Sequence, residues 1–223
     1  MKFETKTKQM SESLLTITCI TLSGGFQDAY TYFARGKVFA NAETGNIVLM
    51  ASHFCDLDFI GALHYFVPLL FFILGVFMAE QIEGYHKHRK DIHWRQIVLM
   101  PEILLLLISG FLSEDFNLLV NSMISFACAM QVQAFRRWNA NSYASTMCIG
   151  NIRSGAANFS AYLRNKDPHT LHRSLDYFLV IFIFFIGTGL GFIAVKHFHL
   201  HAIWFSCAAL ALAVLCMHHN DQE

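Results

Sequence analysis

The side chains best suited to chemistry fall in two stretches of the chain, each set in strongly apolar sequence. Gln27 and Asp28 precede Glu43, Thr44, Gly45 and Asn46 in the first; Gln131 and Gln133 precede Gly150, Asn151 and Arg153 in the second. An ionised carboxylate deep in an apolar segment is costly unless it is paired or hydrated, which makes Asp28 a functional candidate. The competing placement ends the segment near Ala29 and leaves Asp28 at an interface. The three glutamines offer donors and acceptors that line a polar path or, equally well, bond between helices. Arg153 has a fork-shaped guanidinium suited to a substrate anion, or to an ion pair with Asp28 or Glu43. Thr44 reads as an N-cap, with short helices beginning near Asn46 and Asn151. Their free N–H groups and positive dipole ends favour an anion or a polar solute.

No catalytic constellation accompanies these residues. The six cysteines (Cys19, Cys55, Cys128, Cys148, Cys207 and Cys216) contain no C-x-x-C pair, and imply neither a disulfide framework nor a zinc site. In the histidine tracts at 86–93 and 197–201, alternating His199 and His201 could hold a transition metal only weakly, no acidic or cysteine ligand completes a closed set, and no metal or cofactor is expected. Glycines 187, 189 and 191 follow no strand and read as close helix packing rather than a nucleotide loop. Net charge is zero and no basic domain exists to bind nucleic acid. An enzyme acting on a lipid or quinone lacks its nucleophile or metal, and the chain is read as a non-enzyme.

The elements that position the two stretches are membrane helices. Hydrophobic residues make up 55% of the 223 and charged ones only 14%, against roughly a quarter in ordinary soluble domains. Segments 59–79 and 177–195 each hold about 20 residues without an acid, Lys or Arg, enough to cross a bilayer core. Weaker spans are 13–34, 96–112, 116–135 and 201–217. Lys2, Lys6 and Lys8, the loop bearing Lys87, Arg89, Lys90 and Arg95, and the loop bearing Arg164, Lys166 and Arg173 should be cytoplasmic. That charge pattern works only if 44–54 and 149–162 are re-entrant, dipping in and returning from opposite sides. Arg35, Lys37 and Lys196 then fall on the outer side. The N-terminal segment, which shows no cleavage site, reads as a retained cytoplasmic tail.

Shifted by about 105 residues, the chain matches itself: Ala29 meets Ala134, Phe33 meets Trp138, and Gly45-Asn46-Ile47 meets Gly150-Asn151-Ile152. Each half repeats the order span, polar turn, short helix, span, span. Three spans are an odd number, so the second copy must be inverted. The expected fold is an all-α integral membrane protein with six transmembrane helices in two inverted three-helix repeats, each with a re-entrant half-helix. The repeats run about 13–112 and 116–217 within one membrane domain, residues 1–223.

Three motifs carry a family resemblance. They are Gly25-Phe26-Gln27-Asp28-Ala29, the run from Phe39 to Val48 (FANAETGNIV), and Gln131 followed by Ser145 to Asn151 (STMCIGN). On these, the chain resembles the YoaK-like membrane proteins, which carry domain of unknown function 1275. The resemblance covers nearly the whole chain. It departs at Ile149, where the family tends to have Thr, so a hydroxyl cap on the second half-helix is in doubt. What the resemblance implies is a six-span inner-membrane protein with no assigned activity.

The functional expectation is a channel or secondary transporter for a small polar or anionic solute, bound at the midplane between the half-helix N-termini. The alternative is a non-catalytic scaffold or accessory protein. The expected partners are the lipid bilayer and the solute, with a homodimer in keeping with the chain's size. The expected setting is the cell (inner) membrane, multi-pass, with both termini cytoplasmic.

Overall fold

The computed structural model describes residues 13–86, 94–139 and 141–219. The basic residues Lys2, Lys6, Lys8, Lys87, Arg89 and Lys90 lie outside that set. Every expected span is helical: α1 (Leu14–Ala34), α3 (Phe59–His86), α4 (Trp94–Ser109), α5 (Asn117–Ala134), α7 (Pro168–Phe198) and α8 (Ile203–His219). Two further helices, α2 (Glu43–Cys55) and α6 (Cys148–Asn165), occupy the polar stretches. Local chemistry sets several boundaries. Ser13 Oγ accepts from the Thr16 N–H to start α1, and the Asp167 carboxylate accepts from His169 and Thr170 to start α7, with Pro168 in its first turn. The only strands among the described residues are β1 (Arg137–Trp138) and β2 (Asn141–Ser142), an antiparallel pair between α5 and α6.

Two stretches, not six, are long and apolar enough by themselves to cross a membrane: Phe59–His86 and Pro168–Met217. The second joins α7 to α8 through a 3-10 turn at His199–Ala202. The other helices fall short for a physical reason. α1 turns Thr21, Ser23, Gln27 and Asp28 inward, α5 does the same with Asn121, Ser125 and Gln131, and α4 is only 16 residues long. Only 22% and 33% of the most apolar windows of the two long stretches is buried, an exposure compatible with a membrane protein. Ile60 is 85% exposed and Phe185 70%, while Gln27, Glu102 and Asn121 are fully buried. Polar groups inside and apolar groups outside reverse the usual soluble pattern.

Packing partners are exchanged between the halves. α1 lies along α7 and α8, whereas α5 lies along α3 and α4; α2 rests on α3 as α6 rests on α7; and α4 meets α8. Glycines permit the close crossings. A Cβ on Gly187 would overlap the Leu22 carbonyl of α1, and one on Gly75 would overlap the Phe126 carbonyl of α5.

Arg35, expected on the outer side, is fully buried within the protein beside the α4–α5 turn. Its guanidinium donates to the carbonyls of Ser109 (2.6 Å), Leu112 (2.9 Å) and Ser113 (3.1 Å), to Asn117 Oδ1 and to the Tyr30 hydroxyl. A cation here answers the unpaired carbonyls at the C-terminal end of α4. His64 Nε2 donates to the Gly36 carbonyl of the α1–α2 loop, 3.1 Å away.

The turn from α2 to α3 is closed by Asp58, which accepts from the Gly61 N–H (2.9 Å) and from His53 Nδ1 (2.8 Å). These two donors, the Gly61 N–H foremost, hold the carboxyl below the usual aspartate range. A depressed carboxylate stabilises the folded turn above the unfolded pKa and loses that contribution as pH falls through the folded value. Amide hydrogen exchange of the detergent-solubilised chain should therefore show Gly61 losing protection selectively in strong acid, below the ordinary aspartate range. An unchanged Gly61 would assign the turn's closure to backbone contacts alone.

Candidate functional site

The two polar stretches fold alike. α2 begins at Glu43 and α6 at Cys148, 105 residues apart, and neither has a side-chain N-cap. Thr44 is thus inside the first turn of α2 rather than its cap, and both helices start three residues before the expected Asn46 and Asn151. Those asparagines have another task. Asn46 Nδ2 donates to the Phe39 carbonyl (2.7 Å) and its Oδ1 accepts from the Phe39 N–H (3.0 Å). Asn151 makes the same pair of bonds to Ala144, at 2.8 and 3.5 Å. Each side chain reaches back seven residues and acts as a strand edge for the loop that enters its helix. Non-helical backbone buried in apolar surroundings needs such partners.

Asp28 supports the first loop from α1. It is 7% exposed, and its Oδ1 accepts from the Asn41 N–H at 2.8 Å, with the N–H groups of Ala40 and Ala42 facing the same carboxylate. Asn41 Nδ2 also donates to the Gly24 carbonyl. Asp28 therefore lies within the helix, not at its end, and places its carboxyl group against the loop that enters α2. Glu43 Oε2 accepts from Asn46 Nδ2 at 3.0 Å.

Between the starts of α2 and α6 lies a cavity of about 720 Å³. Asp28, Glu43, Thr44 and Gly150 line it, and Thr146 and Thr188 add hydroxyls. Aromatic rings form much of the remaining wall. Among the described residues no Lys or Arg lines it, and Asp28 and Glu43 are its acidic groups. Asn41 Oδ1, Glu43 Oε1 and Thr146 Oγ1 are buried atoms without a hydrogen-bond partner in the protein. Thr146 is itself only 6% exposed.

The remaining predicted residues lie elsewhere. Gly45 sits behind the tip, where a Cβ would come 3.1 Å from the Phe39 ring. Gln131 is buried between α1 and α5, with Nε2 donating weakly to the Ile20 carbonyl at 3.4 Å. Gln133 bonds to Glu80 at the margin, beside the Arg136 ion pairs with Glu80 and Glu83. Arg153 is on an exposed face of α6 and neither lines the cavity nor pairs with Asp28 or Glu43. Gln27 belongs to a second polar cluster, donating to Ser23 Oγ (2.9 Å), Ser206 Oγ (3.2 Å) and Glu102 Oε1 (3.2 Å). Glu102 is fully buried there, with Oε2 unpartnered. Asn41 and Thr146 join the site without having been expected there, although both lie in the motifs that lead into α2 and α6. Phe72 and Phe184 come from distant helices, and no local pattern marks them.

A family model described as "Protein of unknown function (DUF1275)" matches residues 16–216. The chain belongs to this family. The match spans both halves, so the two tips and the cavity between them fall within the family's shared region. No curated protein and no solved structure matches it.

Replacing either clamp leaves one backbone N–H and one carbonyl unpaired in a buried loop. Asn46→Ala and Asn151→Ala should each lower stability by about 2 kcal/mol, read as reduced denaturation midpoints in detergent. Similar losses for the two variants are expected from the matched geometry, and a neutral Asn151→Ala would show that the second loop is held by other bonds.

Proposed function

We infer that the chain is an integral protein of the cell (inner) membrane, a channel or secondary transporter for a small polar solute. α1, α3, α4, α5, α7 and α8 cross the bilayer, the 16-residue α4 together with its flanking turns, with both termini cytoplasmic, and α2 and α6 enter from opposite faces as re-entrant elements of two inverted repeats. The exchanged packing of the halves and the matched asparagine clamps support that repeat. At 13 residues α2 reaches about 20 Å, too short to cross. α6 has 18 residues, and its final turn carries Arg164 and Asn165, which suit the headgroup level.

The observation that carries the functional reading is the cavity between the two tips. A scaffold has no need of about 720 Å³ of space where two broken elements meet, with buried polar atoms left unpartnered beside it. A second cavity of about 440 Å³ lies beyond Tyr32 and Phe33, which line both. It contains Lys37, Glu114 and His199 and forms an outer vestibule, with those two rings as the partition. The anionic solute is the weaker half of the expectation, because Asp28 and Glu43 would repel it. The scaffold reading draws on Asn46 and Asn151, whose amides are spent on backbone. Exposed apolar side chains on α2 and α6, such as Val48, Phe54 and Phe159, face lipid or a second copy of the chain.

Topology is tested by labelling in sealed membranes: Cys55 should react from outside and Lys166→Cys from inside. Reaction of both from one side would remove the inverted repeat. Transport is tested in proteoliposomes by light scattering after gradients of glycerol, benzyltrimethylammonium chloride and sodium benzenesulfonate. At least one should relax faster than in protein-free vesicles. A Cβ on Gly150 meets nothing within 4 Å, so Gly150→Leu should keep the fold and close the pathway. Three gradients indistinguishable from empty vesicles would leave the scaffold reading in place.

A further inference from the structure

The lining of the central cavity defines the charge and shape of what it holds. Five aromatic side chains (Tyr32, Phe33, Phe39, Phe72 and Phe184) come from α1, the α1–α2 loop, α3 and α7, so four separate parts of the fold converge on one space. Tyr32 and Phe39 are stacked at 4.6 Å and form one continuous wall. Asp28 and Glu43 share that space with no lining cation among the described residues. Thr146 also borders that space, nearly fully buried and with its hydroxyl unpartnered in the protein.

Four ligand classes compete. An anion would gain from the N-terminal end of α6, but that end offers about half a positive charge against two nearby carboxylates. The corresponding end of α2 is already answered by Asp28. A hard metal ion needs several oxygen ligands, and the described residues contain no group of three or more His, Cys, Asp or Glu able to hold one. A wholly apolar molecule would fill the aromatic part and leave two carboxylates facing hydrocarbon. An organic cation satisfies both halves of the wall, since aromatic faces attract a desolvated cation and the carboxylates neutralise it.

We propose that the cavity between the tips of α2 and α6 binds an organic ammonium ion, its charge held by Asp28 and Glu43 and its apolar substituents by the surrounding aromatic rings. This rests on the transport reading for its biological setting, but the binding is measurable without flux.

Saturation-transfer NMR on the purified full chain in detergent provides the test, using benzyltrimethylammonium, uncharged benzyl alcohol and anionic benzenesulfonate as probes. Benzyltrimethylammonium should bind specifically and the other two should not compete with it. Glu43→Gln keeps an acceptor for Asn46 and should weaken binding about tenfold. Phe72→Leu should weaken it by a smaller factor. Asp28→Asn has a comparable expected effect, but Asp28 also holds the loop, so Glu43→Gln is the deciding variant. Equal binding of benzyl alcohol, preferential binding of benzenesulfonate, or full retention in Glu43→Gln each overturns the assignment. Should proteoliposomes carry glycerol or benzenesulfonate while the ammonium probe neither binds nor moves, the ligand class fails and the transport reading survives. Ammonium binding without flux of any probe would instead uphold the ligand class and remove the transport reading.

Discussion

Two loops of irregular backbone run through the middle of an otherwise helical, apolar protein, and their peptide groups must find partners away from water. The fold is organised around meeting that requirement. Asn46 and Asn151 supply one donor and one acceptor each to the chain seven residues back. Asp28 does so from outside the first loop, against the N–H of Asn41. Without these bonds the loops would carry unpaired peptide groups where they enter α2 and α6.

Once the loops are fixed, the arrangement of the long helices follows. α1 and α5 carry polar residues inward because they flank the loops, whereas α3 and α7 present aromatic and aliphatic side chains outward. The glycines on α3 and α7 then let these outer helices approach the polar ones closely enough to close the structure. The same division explains why simple hydropathy singles out the outer helices. The inner ones are the polar half of an amphipathic assembly.

The frame of the protein is legible in its sequence because periodic apolar runs and the self-match at 105 residues are both one-dimensional signals. The helices and the pairing of Asn46 with Asn151 follow from them. The roles of individual polar groups are less legible, since they depend on where a side chain points. Thr44 has the chemistry of an N-cap, but the asparagine clamp draws the helix start back to Glu43. Arg153 lies close in sequence to the α6 tip, yet the helix turns it to an exposed face. That Arg35 would be buried against the end of α4 is likewise not visible in its local sequence. Phe72 and Phe184 join the cavity through contacts between distant segments, which no local motif encodes.

The asparagine clamps also bear on how the molecule assembles. Each closes a ring only seven residues long, so the entropic cost of forming it is small and needs nothing from the rest of the polypeptide. The first such ring can be complete while the second half is still being synthesised. The unions of α1 with α7 and α8, by contrast, join residues more than a hundred positions apart and must wait for the second half. Biogenesis is thereby ordered: local knots first, then the reciprocal embrace of the two halves.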